Sequence, residues 1–303
     1  MMKITEFQQK ITDLFPKMDI RLNESMENHT SFRIGGPAEV MILPINAEEL
    51  SCILKKSKEF GIQPAILGAG TNVLAPDAGI PGLVICLKDG LDGMEQLDDT
   101  RIRVAAGVTM TRAAEFAASK NLSGLEFAHG IPGTVGGGVY MNAGAYGGEI
   151  KDVCESVDVM TLDGELNTIP ADQMGFGYRH SRLEDEGGIV VSAVFRLMPK
   201  PESEVRSYMQ ELMTKRKTSQ PLDLPSAGSA FKRPVGGYAA ALIDQAGLKG
   251  FQVGNAGISE KHAGFAVNLG GATAEEVKEL LKQVSDIVFE KSGIRLEPEV
   301  RIW

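Results

Sequence analysis

The sequence predicts a mixed fold of helices and strands, α/β or α+β, in two parts. Strand-like apolar runs alternate with helix-spaced apolar residues along the whole chain. A proline-punctuated stretch, "PKPESEV", divides it near residue 200. The 303 residues are 43% hydrophobic and 23% charged, which suits two or three subdomains with real cores and argues against long disorder.

The elements follow in order. "MMKITEFQQKITDLF" spaces Ile4, Phe7, Ile11 and Leu14 as one helical face. "SFRIGGPAEVMILP" reads as a turn feeding a strand. "NAEELSCILKKSKEFG" puts Leu50, Ile53, Leu54 and the small Ser57 on one helix face, with Gly61 as its stop. "QPAILGAGTNVLAPDAGIPGLVICL" reads as a strand, a glycine loop, a Pro/Gly-rich connection and a strand ending at Leu87. "RIRVAAGV" is a strand, and "TRAAEFAASKN" a helix with a small-residue face. After a glycine-rich stretch, "VCESVDVMTL" and "IVVSAVFRL" read as strands. Beyond the break, "SEVRSYMQELMTKRK" is a helix turning Val205, Tyr208, Met209 and Leu212 inward. "GYAAALIDQAGLKG" holds a short helix ending at Gly247. "TAEEVKELLKQVSDIVFEKSG" opens on a Thr273/Glu276 capping box and stops at Gly293. "IRLEPEVRIW" is a terminal strand.

Charge and cysteine usage narrow the function. A net charge of −9 excludes a generally basic nucleic-acid binder, so an anionic ligand must be held by local cations or backbone N–H groups. Cys52, Cys86 and Cys154 lack metal or disulfide-framework spacing, and no metal site is expected. The start lacks the apolar run of a signal peptide, and no stretch of membrane-spanning length exists, so a cytoplasmic protein is expected.

Two glycine loops stand out. "LGAGTN" resembles a dinucleotide-binding turn, but Val73 replaces the third glycine and Pro76, Gly79, Pro81 and Gly82 forbid the helix that must follow. The bare loop still offers a backbone nest for phosphate, or it is a plain tight turn. Residues 130–150, "GIPGTVGGGVYMNAGAYGGEI", contain eight glycines. Their large apolar neighbours argue against a linker. Two such loops, about 60 residues apart, suit the two ends of one large flat ligand; a ligand-free tight loop is the alternative.

"GLEFAHGIPGTVGGGVYMNAGAYGGEI" resembles the signature of the MurB family, the flavin-dependent UDP-N-acetylenolpyruvoylglucosamine reductases of peptidoglycan precursor synthesis. "HTSFRIGGPAEV", "LGAGTNVLAPDAGIPGLVI", "FGYRHSRL", "RKTSQPLDLPSAGSAFKRP" and "LEPEVRI" fall in the family's order over nearly the whole chain. The resemblance implies an α+β protein: a two-part FAD-binding domain of the vanillyl-alcohol-oxidase (PCMH) type and a smaller C-terminal α/β substrate domain. It divides the chain into a lead-in (residues 1–33), an FAD-binding domain (34–199) and a substrate domain (200–303) whose last strand returns to the active site. It implies non-covalent FAD, NADPH as co-substrate, UDP-N-acetylglucosamine enolpyruvate as substrate and a monomer, with no nucleic-acid or membrane partner. NADPH reduces the flavin and leaves; the flavin then passes hydride to the vinyl carbon, giving UDP-N-acetylmuramate.

Residue by residue, the resemblance implies that Arg179 of "YRHS" faces the substrate carboxylate, a role its paired N–H groups suit. Ser229 of "AGSAF" matches the proton donor, and Glu299 of "EPEV" the residue assisting the enolate, with Glu297 two positions away as the competing assignment. Gly68, Gly70, Thr71, Asn72, Gly133, Thr134, Gly137, Asn142, Arg216 and Arg301 match cofactor-binding positions; Tyr178 and Lys217 match substrate-binding ones. The chain leaves no room between Arg179 and Ser229 for the long inserted loop of one family branch, which identifies the shorter branch. Arg233 stands where some members carry asparagine.

Overall fold

The computed structural model describes residues 2–303. They form two compact units, each assembled from separated segments. Val40–Ala69, Gly82–Lys215 and the N-terminal residues through Leu22 make the first; Asn23–Glu39, Gly70–Pro81 and Arg216–Trp303 make the second. The family resemblance places divisions at 33/34 and 199/200. The structure differs in two respects: two short early segments join the second unit, and the late division falls at 215/216, inside a helix.

In the first unit, helices α1 (Met2–Leu14) and α2 (Ala47–Phe60) share a core with a four-stranded sheet. That sheet runs in the order Asp19–Ser25, Pro37–Leu43, Ile80–Cys86, Ala65–Leu67. Its last pair is parallel, with Leu67 opposite Cys86. The apolar face of α2 is the one its sequence spells: Leu50, Ile53, Leu54 and Ser57 are buried, Asn46 caps its start, and left-handed Gly61 ends it. In α1, Ile4, Phe7 and Ile11 are buried but Leu14 is exposed, because the helix ends there and no further turn carries it inward.

A five-stranded sheet follows, in the order Leu166–Pro170, Cys154–Met160, Ile189–Arg196, Arg101–Ala105, Met94–Gln96, every pair antiparallel. Helix α3 (Met110–Ser119) and the six-residue α4 (Val135–Tyr140) contribute to the same core. Helix α5 (Leu183–Glu186) is a single turn. Helix α6 (Glu202–Ser219) buries Val205, Met209 and Leu212. Tyr208 is exposed, against expectation: its ring sits one residue off the buried stripe, where water covers it.

The second unit has its own core around Phe32, Ile34, Leu74 and the apolar faces of α7 (Ala239–Gln245) and α8 (Ala274–Ser292). Its antiparallel sheet runs in the order Ser226–Ser229, Phe265–Asn268, Ala256–Ile258, Gln252–Val253. The expected terminal strand is only Arg301–Ile302, paired in parallel with Val73–Leu74. Pro298 lacks the N–H a longer ladder needs and makes one isolated bridge to Phe231.

The α8 capping box is present as the sequence predicts, with Thr273 accepting from the Glu276 N–H and Glu276 from the Thr273 N–H. A second cap comes from far away in sequence: the Asp77 carboxylate accepts from the N–H groups of Ala274 and Glu275 at 2.8 and 3.2 Å. Replacing Asp77 with Ala leaves two first-turn amides without their acceptor. We expect a loss of about 1–2 kcal/mol, read as a lower midpoint in denaturant. No helix among the described residues is long and apolar enough to cross a membrane.

Candidate active site

No helix follows "LGAGTN": residues 71–72 turn and Val73–Leu74 is a strand. Gly70 is buried and left-handed, at φ +61°. Its carbonyl accepts from the Ser31 N–H at 3.1 Å, and the Asn72 carbonyl accepts from the Arg301 N–H at 3.0 Å. These bonds hold the loop by its carbonyls within the second unit and bring Asn72 beside Arg301. Thr71 and Asn72 are half-buried.

The two glycine loops touch within the first unit. A Cβ on Gly68 would stand 2.8 Å from the Thr134 hydroxyl. The second loop is not wholly a loop, however. Thr134 caps α4, and "GGG" lies inside that helix. Poor helix formers are helical here because their small size lets the helix settle on its neighbours. A Cβ on Gly136 would lie 2.9 Å from the Ala106 Cβ, and one on Gly138 would lie 2.7 Å from the Met110 sulfur. The first-turn amides are also spent: Val135 donates to the Val108 carbonyl, Gly136 to Ala106, and Gly137 to the Thr134 hydroxyl. The expected nest therefore does not include residues 135–137. Much of the glycine content answers to packing. Gly137 is the exception: it is exposed, and nothing lies within 3.8 Å of where its Cβ would be. Gly133, half-buried with φ +128°, precedes the cap and accepts from the Met110 N–H.

Asn142 differs from its expected role. Its side chain is fully buried and spoken for. The amide nitrogen donates to Glu149 Oε2 and to the Gly177 carbonyl, both at 2.9 Å, while its oxygen accepts the Lys151 N–H at 3.0 Å. That amide braces protein against protein, with both of its hydrogens donated inside the protein. Tyr178 and Arg179 stand next to its acceptor Gly177. Arg179 is half-buried, with φ +53°, and its guanidinium lies 5.1 Å from the Tyr178 ring centre. The sequence reading missed Glu149 and Ser181 in this network. The only signal was their position inside the glycine stretch and "YRHS".

In the second unit, Ser229 is exposed at the end of its strand, opposite Phe265. The ladder slips between Ser226 and Ser229, and left-handed Gly228 (φ +75°) sits in the slip with open space at its Cβ. Such a bulge re-aims the side chain after it. The Glu299 N–H donates to the Ala230 carbonyl at 2.9 Å, so the serine segment and the glutamate segment adjoin. Glu297 is exposed and ion-paired to Lys232, which ties the competing carboxylate to a surface partner. Arg216 is buried in the last turn of α6 and donates to Gln220 at 3.1 Å; Lys217 is exposed. The Cys154 thiol is pushed up to about 12 by burial, and so stays protonated and inert.

Comparison with known proteins completes the picture. Residues 38–169 match the FAD binding domain family, and residues 220–303 match the C-terminal domain of UDP-N-acetylenolpyruvoylglucosamine reductase. A protein of that name from Agathobacter rectalis is 46% identical over 98% of both chains. The chain belongs to the MurB family. Another reductase of that name, from Clostridioides difficile, is 42% identical over 96% of both chains. The MurB structure from Thermus caldophilus superposes with a TM-score of 0.79 at 38% identity, covering 95% of this chain and 99% of that one. Membership fits the expected α+β fold with a FAD-binding part and a distinct C-terminal part. Within the first unit the residues present suit that flavin: the two glycine loops touch at Gly68 and Thr134, and Gly137 beside them is exposed and unobstructed.

Proposed function

We propose that this protein reduces UDP-N-acetylglucosamine enolpyruvate to UDP-N-acetylmuramate with NADPH, in the cytoplasm, as a step of peptidoglycan precursor synthesis. FAD, when bound, would supply the hydride chemistry between NADPH and the enolpyruvyl group. The chain's residues manage the charge and the proton that this addition demands.

Gly68, Gly70, Thr71, Asn72, Gly133 and Thr134 are assigned to the cofactor by backbone and hydroxyl groups and Gly137 by the room its missing side chain leaves, with Arg216 and Arg301 supplying positive charge. Arg179 pairs its guanidinium with the substrate carboxylate, onto which negative charge spreads as the adjacent carbon becomes an enolate. Glu299 assists at that enolate. Ser229 gives its hydroxyl proton to the carbon. A neutral serine is a weak acid, so its effectiveness depends on orientation toward a strongly basic centre. Tyr178 and Lys217 are assigned to the nucleotide sugar.

What supports this reading is the adjacency of Ser229 and Glu299, joined through the Ala230–Glu299 hydrogen bond, in a chain of this family. The purified protein should be yellow. Its reduced flavin should be reoxidised by UDP-N-acetylglucosamine enolpyruvate without oxygen. Reoxidation by oxygen alone, with the sugar inert, overturns the assignment in favour of an oxidase.

A further inference from the structure

Arg179 sits in a four-residue turn closed on itself. The Gly177 N–H donates to the His180 carbonyl at 3.0 Å and the His180 N–H returns to Gly177 at 3.4 Å. The arginine has the left-handed φ of +53°. A non-glycine residue holds such a conformation when its surroundings over-determine it. Here the surroundings are two clamps, one on each side of Arg179. Two residues before it, the Gly177 carbonyl accepts from Asn142 at 2.9 Å. Two residues after it, the Ser181 hydroxyl donates to the Tyr140 carbonyl at 2.7 Å. Ser181 and Asn142 are both fully buried, and both clamps end on residues 140–142, at the close of α4.

We infer that Ser181 and Asn142 are positioning residues, which mount the Arg179 turn on the end of α4 and fix where its guanidinium points. The inference rests on the substrate role proposed for Arg179. Asn142 is set in one orientation only. The Lys151 N–H can only donate, so it faces the amide oxygen; the Gly177 carbonyl and Glu149 carboxylate can only accept, so they face the amide nitrogen. Lys151 first, with the Asn142 amide and the charge of Arg179 adding, holds the Glu149 carboxyl below its usual range, so it remains an acceptor. The packing of Gly136 and Gly138 fixes α4 itself.

A double-mutant cycle on the holoenzyme tests this. The measurement is the anaerobic single-turnover rate at which UDP-N-acetylglucosamine enolpyruvate reoxidises the reduced flavin. Ser181→Ala should slow it about tenfold, since small misplacements of an orienting group cost that much or more. In an Arg179→Ala background the same change should alter the rate by less than about twofold, because there is no guanidinium left to aim. Asn142→Ala should show the same coupling, as should the substrate affinity read from the shift it induces in the oxidised flavin spectrum. A tenfold effect of Ser181→Ala that persists undiminished without Arg179 overturns the inference alone. So does a rate within about twofold of wild type for both clamp variants. An unchanged rate in Arg179→Ala by itself overturns the substrate role of Arg179, and the inference with it.

Discussion

Ser229→Ala is expected to keep flavin reduction by NADPH and to lose turnover of the enolpyruvyl sugar, by about 10²–10⁴-fold. The hydroxyl follows a left-handed glycine at a slip in the sheet, next to the Glu299 segment. Removing one oxygen from an exposed position leaves the core untouched, so flavin content and unfolding midpoint should match the wild type. Stopped-flow absorbance separates the two half-reactions. The first should proceed at its usual rate and the second should stall with the flavin reduced. Normal reoxidation would remove Ser229 from the chemistry.

Gly70→Ala is expected to have the largest effect on folding. A Cβ there would lie 2.0 Å from the His29 carbonyl oxygen and 2.9 Å from the Thr30 Cα. Both are backbone atoms, so no rotamer change relieves the clash. The φ of +61° adds strain for any residue with a Cβ. Together these are worth about 3–5 kcal/mol. Gly82→Ala is the control: its φ is +85°, but nothing lies within 4 Å of the new atom, so it carries only the conformational cost, about 1 kcal/mol. Chemical denaturation of the two variants should separate them clearly. Similar midpoints would show that the His29–Thr30 segment yields easily, and that the first glycine loop is softer than its hydrogen bonds indicate.

The sequence was most legible where a single local signal decides structure. Helix α2 announces its buried face, its Asn cap and its glycine stop within one stretch, and α8 announces its capping box and its end. The absence of a helix after "LGAGTN" also follows from local chemistry, since prolines and glycines forbid it. Helix α4 was hidden for the opposite reason. Its glycines have poor helix propensity, and only contacts with Ala106 and Met110, distant in sequence, make them helical. The same holds for Asp77, whose carboxylate caps a helix that begins almost 200 residues later. Motifs nominate residues for the site, yet Asn142 shows the limit. Its position was found, while its duty as an internal brace depends on partners at 149, 151 and 177 that periodicity does not connect.

The pairing of Val73–Leu74 with Arg301–Ile302 sets an order of assembly. A chain emerging from the ribosome N-terminus first exposes "LGAGTN" well before residues 301–302, so the strand that flanks the loop waits for its neighbour until that segment has been made. Joining such distant segments costs little at equilibrium, since closure entropy grows only with the logarithm of loop length. In time it costs more, because contacts remote in sequence form slowly. The first unit draws no residue from beyond 215 and can consolidate while the second waits. The first glycine loop is thus made long before the segment that gives its flanking strand a partner.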